Sequence, residues 1–170
     1  MLNAVKTIAA ISTASGAGGI AVIRLSGPLA FKIAKKITGS NLRPRVAEFH
    51  NFKDLNGILV DQGLILSFPG PKSFTGEDIV EFHCHGGNVV AQSVLNLCLL
   101  MDAILAEPGE FTKRAFLNNK IDLAQAESIA DLINASTEEA AQSAINSLSG
   151  KFSLEINNLL KYLIELRMYV

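Results

Sequence analysis

Residues 108–137 read PGEFTKRAFLNNKIDLAQAESIADLINAST, and the fold turns on this stretch. It begins irregularly, with a Pro-Gly turn, a charged turn and a double asparagine, and becomes regular at Asp122. Upstream, β-rich runs alternate with helical spacing; downstream, no strand is legible. The expected fold class is therefore α+β, an N-terminal mixed sheet with helices followed by an all-α segment. The boundaries are placed at 1–119 and 120–170. Lys120 stands in the irregular part, between Asn118-Asn119 and the helix start at Asp122. Loops anchored to rigid elements carry function, so Lys120 is a candidate cationic ligand group. The alternative is a surface lysine ahead of a helix.

Working back from this stretch, residues 7–11 read as a short strand and residues 12–19 as a small-residue loop. Residues 20–25 form a second β-rich run ending at Ser26-Gly27-Pro28, where proline behind a small polar residue signals a helix start. Leu29, Ile33 and Ile37 have helical spacing that stops at Gly39. Residues 46–52 are expected as a strand. Residues 58–60 and 64–68 flank Asp61-Gln62-Gly63, which reads as a hairpin turn. Residues 79–85 alternate, with Ile79, Glu81, His83 and His85 on one side and Val80, Phe82 and Cys84 on the other. Gly86-Gly87-Asn88 then opens a helix whose apolar positions run from Val90 to Leu105.

Working forward, Asp122 with Gln125 and Ser136 with Glu139 have capping-box spacing. Leu123, Ala126, Ile129, Ala130 and Ile133 make one helical stripe. Ala140, Ala144, Leu148, Phe152, Ile156, Leu159, Leu163 and Leu166 make another. Gly150 interrupts the second helix, at about 1 kcal/mol against alanine. So apolar a stripe needs cover, so the chain is expected to be a fragment or to bury these helices against another subunit.

Composition narrows the function classes. A net charge of −1 argues against a strongly basic nucleic-acid binder. Hydrophobic residues make up 49% of the chain, enough for a sizeable core and too many for a disordered one. The two cysteines, Cys84 and Cys98, lie in apolar company without metal or disulfide spacing, and read as buried thiols of a reducing compartment. The longest apolar stretch is too short to span a bilayer. The cytoplasm is the expected location, without membrane attachment.

Ser15-Gly16-Ala17-Gly18-Gly19 has the look of a phosphate cradle, but a β-rich run follows where the dinucleotide fingerprint needs a helix. It reads as a loop that lets backbone approach a neighbour or ligand. Arg24 interrupts an apolar strand, so it is either on an exposed sheet face or a forked donor set aimed at a carboxylate or planar heterocycle. Glu81, His83 and His85 share a strand face. Metal ligation is conceivable there, but Glu81 accepting from the N–H groups of an amino-pyrimidine-like ring is the more economical idea, against a solvated sheet face. Thr75 reads as a turn-stabilising residue or a ligand contact. No Ser-His-Asp or Cys-His arrangement is legible, and a binding site is easier to find than a catalytic one.

The run from Gly18 to Gly27, then Asp61-Gln62-Gly63, the segment from Pro69 to Asp78, Glu81 with His85-Gly86-Gly87, and the block opening at Pro108 together closely resemble the bacterial tRNA uridine-5-carboxymethylaminomethyl modification GTPases, the MnmE (TrmE) family. The likeness spans about residues 7–170. It implies an N-terminal domain similar to the tetrahydrofolate-binding domain of glycine cleavage T-type proteins, which binds a 5-formyl-tetrahydrofolate-type one-carbon donor and mediates homodimerisation. It also implies a helical domain carrying an inserted Ras-like G domain. GTP, magnesium and potassium would belong to that G domain and not to these residues. The resemblance further implies an FAD-dependent partner protein of the MnmG (GidA) type, and tRNA whose wobble uridine is modified. The family's folate contacts fall on Arg24, Glu81 and Lys120. Arg24 and Lys120 suit anionic or carbonyl portions of folate, and Glu81 suits the pterin edge. The rival reading is a dimerisation scaffold with a vestigial folate pocket. An aminomethyltransferase acting alone lacks a visible catalytic acid or base.

Overall fold

The computed structural model describes residues 6–168. The chain divides into two compact units, Met1–Phe111 and Thr112–Val170. The first is built on a six-stranded mixed sheet, and the second is helical throughout its described residues, so the fold is α+β as expected.

In the first unit, β1 (Ile8–Ile11), β2 (Ile20–Ser26), β3 (Glu48–Lys53), β4 (Leu59–Phe68), β5 (Ile79–His85) and β6 (Ile104–Leu105) lie in the order β3-β4-β5-β2-β1-β6. All neighbours are antiparallel except β1 and β6, which run parallel. Helices α1 (Ala30–Thr38) and α2 (Asn88–Leu100) cover one face. Against it they pack Ile33, Ile37, Val94 and Cys98, meeting Ile23, Leu25, Val80 and Phe82, all nearly inaccessible to water. Burying one such side chain contributes about 1.5–3 kcal/mol. Phe52 and Phe82 add an edge-to-face contact at 5.2 Å. Helix α1 is capped from outside itself: buried Thr7 Oγ1 accepts from Leu29 N at 2.8 Å, and the helix ends at left-handed Gly39. Cys84 and Cys98 are buried free thiols; burial pushes them up to about 11 and about 12, so both stay protonated and unreactive at neutral pH.

Three expectations for this unit need correction. Asp61-Gln62-Gly63 is not a turn but the middle of the long strand β4. The turn lies earlier, where the Asp54 carboxylate accepts from the main-chain N–H of Asn56 and Ile58 at 2.8 Å each. Gly63 is needed for close approach: a Cβ there would stand 2.0 Å from the His83 carbonyl oxygen of the neighbouring strand. The strand expected at 46–52 starts two residues later, as β3. The α2 helix stops at Leu100, because Asp102 turns the chain with φ +70° and returns residues 104–105 to the sheet beside β1.

Helix α3 (Glu110–Leu117) leads into the second unit, which contains α4 (Leu123–Asn134), α5 (Glu138–Leu148) and α6 (Lys151–Met168). Asp122 caps α4 as expected, with its side chain accepting from Gln125 N and Gln125 reaching back to Asp122 N. At α5 the cap is Thr137, one residue later than the Ser136 expected, with its hydroxyl accepting from Ala140 N. The helix expected through Gly150 is two helices, separated at Ser149-Gly150. Along α4, Leu123 and Ile133 are exposed, while Ser128 is buried and donates to the Ala124 carbonyl. None of the residues of α6 is buried.

Candidate functional site

The antiparallel register of β2 and β5 sets Arg24 directly opposite Glu81. Both point away from the helices, on the face shared by His83. Arg24 Nε donates to Glu81 Oε1 at 2.8 Å, and Nη2 stands 2.7 Å from the same oxygen in an ion pair. The pair is partly shielded, its side chains 31% and 16% exposed, which places it between a surface ion pair and a buried one. Glu81 Oε2 faces His83 Nε2 at 3.4 Å. Across the guanidinium lie two rings, Phe74 at 5.9 Å and Phe111 at 5.7 Å from centroid to Cζ. Both distances fall within cation–π reach.

The loop between β4 and β5, which supplies Phe74, is fastened to the sheet from below. Ser26 Oγ donates to Glu77 Oε2 at 2.6 Å, which leaves Thr75 Oγ1 to donate to Ser26 Oγ at 2.7 Å. Thr75 is fully buried and also accepts from Glu77 N. Its role in the described chain is therefore to hold the turn. Gly27 N donates to Asp78 O, tying the loop's far end to β2.

At the end of β5 the Asp61 carboxylate accepts from His85 twice, from the main-chain N at 2.8 Å and from ring Nδ1 at 2.7 Å. Burial pushes the Asp61 carboxyl up, but the hydrogen bonds from His85 outweigh that and hold it below the usual carboxylate range. The glycine loop lies beside this end: Gly18 N donates to Gly86 O, and a Cβ on Gly86 would meet Gly18 O at 2.4 Å. The expected close backbone approach is thus a contact between two glycine segments. An open cleft of about 610 Å³ sits there, lined by Thr13, Ser15, Gly18, Asn88 and Gln92; neither Arg24 nor Glu81 borders it. A large apolar cleft with convergent polar groups is the default place to look for a ligand, yet here the charged groups gather elsewhere.

Of the three candidate ligand residues, Arg24 and Glu81 are brought together. Lys120 belongs to the second unit, where it follows left-handed Asn119 and donates its main-chain N–H to the Ala115 carbonyl, closing α3. It borders a shallow groove with Phe116, Asn119, Asp122 and Gln125. Sequence reasoning missed Phe74 and Phe111 as neighbours of Arg24, and the Asp61–His85 pair. These contacts join residues remote in sequence and leave no local pattern, although the β2–β5 register would have suggested that Arg24 and Glu81 meet.

Comparison with known proteins gives the class first. Residues 7–120 match the family model described as the N-terminus of the GTP-binding protein TrmE, and residues 123–170 match the MnmE helical domain. The order, an α+β module followed by a helical one, is that of the structure. The chain belongs to the MnmE (TrmE) family. It is 54% identical over 170 residues to the tRNA modification GTPase MnmE of Pseudomonas putida (strain W619), covering 99% of this chain and 37% of that protein. It is 54% identical over 170 residues to that of Pseudomonas paraeruginosa (strain DSM 24068 / PA7), covering 100% of this chain. The chain thus spans about 37% of the length of these relatives.

Proposed function

We propose that this chain is the folate-binding and dimerising part of a tRNA modification GTPase, with residues 1–119 as the folate-binding domain and residues 120–170 as the first part of a helical domain. The observation that carries this reading is the Arg24–Glu81 pair. It presents an arginine within cation–π reach of two aromatic rings, paired with a carboxylate whose Oε2 faces His83. A reduced pterin carries N–H donors for such a carboxylate and a flat ring to lie beside such aromatic side chains. Lys120 would contact an anionic part of a 5-formyl-tetrahydrofolate-type ligand. Within a protein as long as its relatives, the folate would supply a one-carbon unit for the carboxymethylaminomethyl group of the wobble uridine. GTP with magnesium and potassium, the FAD-dependent MnmG-type partner, tRNA and a second copy of the chain complete the proposed system, which would work in the cytoplasm.

Isothermal titration with 5-formyl-tetrahydrofolate tests the site. Glu81→Ala and Arg24→Ala are each expected to weaken binding about tenfold or more, or about 1.4 kcal/mol. Unchanged affinity in both would remove the assignment. A second reading, a scaffold with a vestigial pocket, draws on the same geometry, because Arg24 and Glu81 already satisfy each other. Thermal unfolding separates the two. A ligand at a hundred times its Kd adds about 2.7 kcal/mol to stability, whereas a scaffold shows no shift.

A further inference from the structure

We propose that the outward surface of α1 and the loop that follows it dock the phosphate backbone of tRNA. This inference takes its partner from the reading above and sets it on the helix-covered side of the sheet unit, away from the Arg24–Glu81 pair.

The sequence concentrates charge here, although the chain as a whole carries −1. Residues 29–47 hold Lys32, Lys35, Lys36, Arg43 and Arg45 and no acid. Folding gathers three of them on one helical surface. Ala30, Ile33, Ala34 and Ile37 form the buried side of α1, which leaves Lys32, Lys35 and Lys36 exposed at spacings of three and four residues. Side chains so spaced are neighbours, and like charges there oppose helix formation. The helix dipole offsets this for Lys35 and Lys36, which lie in the last turn, but works against Lys32 in the first. A cluster that the helix itself disfavours has its use in a ligand of opposite charge.

The loop extends the surface. A hollow of about 160 Å³, whose lining includes Phe31, Lys35, Pro44 and Ser67, joins α1 to the loop and to the end of β4. Arg45 follows Pro44 and is pinned there. Its main-chain N donates to the Ser67 carbonyl at 2.8 Å, its guanidinium donates to the Lys72 carbonyl, and its Cζ lies 5.9 Å from the centroid of the Phe68 ring. Its backbone is held at φ +62°, which residues other than glycine seldom adopt. Such strain gathers at ligand clamps, and an arginine fork suits phosphate. The acids nearby are engaged. Glu48 accepts from the main-chain N and Nε of Arg43 at 2.8 and 2.9 Å and offsets that residue's charge. Asp78 accepts from Gly70 N, and Glu77 from Ser26 Oγ. Lys32, Lys35, Lys36, Arg45 and Lys72 are the exposed cations that face a partner. Phosphates attract such a group through counterion release. An anionic lipid surface would attract it too, but a membrane-bound helix inserts apolar side chains, and those of α1 are already in the core, Ile33 and Ile37 at 1% and 0% exposed.

Fluorescence anisotropy with a labelled, unmodified tRNA transcript tests this on the whole chain. Affinity is expected to fall about a hundredfold between about 50 mM and about 200 mM salt, as some five neutralised phosphates require. Lys32→Gln, Lys35→Gln and Lys36→Gln combined are expected to weaken binding about tenfold or more and to lower the salt slope by about two to three. Lysine and glutamine have similar helix propensities, so far-ultraviolet dichroism should not change. Arg45→Gln with Lys72→Gln leaves α1 untouched and is expected to cost about fivefold, so the test survives a helix variant that fails to fold. Lys53→Gln, Lys151→Gln and Lys161→Gln remove the same charge elsewhere in the chain and should stay within about threefold. Unchanged affinity in both test variants overturns the proposal, as does an equal loss in the α1 triple and its charge-matched control. Tighter binding to vesicles of anionic lipid than to the transcript overturns the choice of partner. If the unaltered chain binds no tRNA, the docking surface falls, while titration with 5-formyl-tetrahydrofolate, which reads the Arg24–Glu81 pair, decides the folate reading separately.

Discussion

Thr75 shows how a single hydroxyl holds a ligand-facing loop. It is enclosed completely and bonded to Ser26 and Glu77 N. Thr75→Val keeps the shape and removes the hydroxyl, leaving Ser26 Oγ and Glu77 N short of a partner. A cost of about 1–3 kcal/mol follows for buried polar groups so deprived, to be read from the urea midpoint at unchanged slope. A loss below about 0.5 kcal/mol would mean the loop is held some other way. Asp61 gives a pH signature. Its folded-state carboxyl titrates below the ordinary range, so its contribution is present above the unfolded carboxylate value and is lost as pH falls through the lower folded one. Asp61→Asn is therefore expected to lower the Tm at neutral pH, with the gap from the unaltered chain narrowing below about pH 4. A gap that stays constant with pH would assign the loss to packing instead of charge. The turn-holding role of Thr75 was among the expectations, but its complete burial was not, since its loop reads as exposed. The role of Asp61 was not legible, because it sits in a tripeptide that reads as a turn.

At the scale of elements, periodicity was the dependable signal. The alternation through residues 79–85 placed Glu81 and His83 on one face and Val80, Phe82 and Cys84 on the other, and the burial of β5 follows that division except at Ile79, which is buried as well. The end of α1 at Gly39 and the Asp122 cap were equally legible, since both depend on contacts within a few residues. Elements whose limits depend on distant chain were not. Gly63 looks like a turn glycine because nothing local reveals that the His83 carbonyl passes where its side chain would be. That distinction has a measurable consequence. Gly63→Ala must push two paired strands apart and is expected to cost about 1–3 kcal/mol, the usual range for forced overpacking. Gly19→Ala is the control, because a Cβ there has nothing within 4 Å. Denaturant unfolding of the two variants should separate them clearly; equal stability would mean that β4 and β5 are looser than their register implies. Because Gly63 abuts the main chain of His83, Gly63→Ala should also broaden or shift the ring signals of His83.

Over the whole molecule, the sheet unit and the helical unit differ in how they handle apolar surface. The first buries a core of large side chains between the sheet and two helices, although others, such as Phe49 and Ile58, stay exposed. The second leaves Ile156, Leu159, Leu163 and Leu166 each about half exposed or more on α6. A contiguous apolar stripe of this kind marks an interaction surface or an aggregation liability, and each leucine buried against a partner contributes about 1.5–3 kcal/mol. Every 1.4 kcal/mol is a tenfold change in association, so two leucines one turn apart carry enough energy to matter at micromolar concentration. Leu159→Glu combined with Leu163→Glu is expected to reduce dye binding to exposed apolar surface and to weaken self-association in sedimentation velocity, while far-ultraviolet dichroism keeps its helical content. The last condition is physically reasonable because leucine and glutamate have similar helix propensities. Loss of helix on substitution would show that the stripe packs within the chain after all, and unchanged sedimentation would exclude this face from any contact between copies. Placing the charges on α6 leaves the Arg24–Glu81 pair in the sheet unit unaltered, so folate affinity measured on the same variant separates a surface that joins copies from one on which the ligand depends.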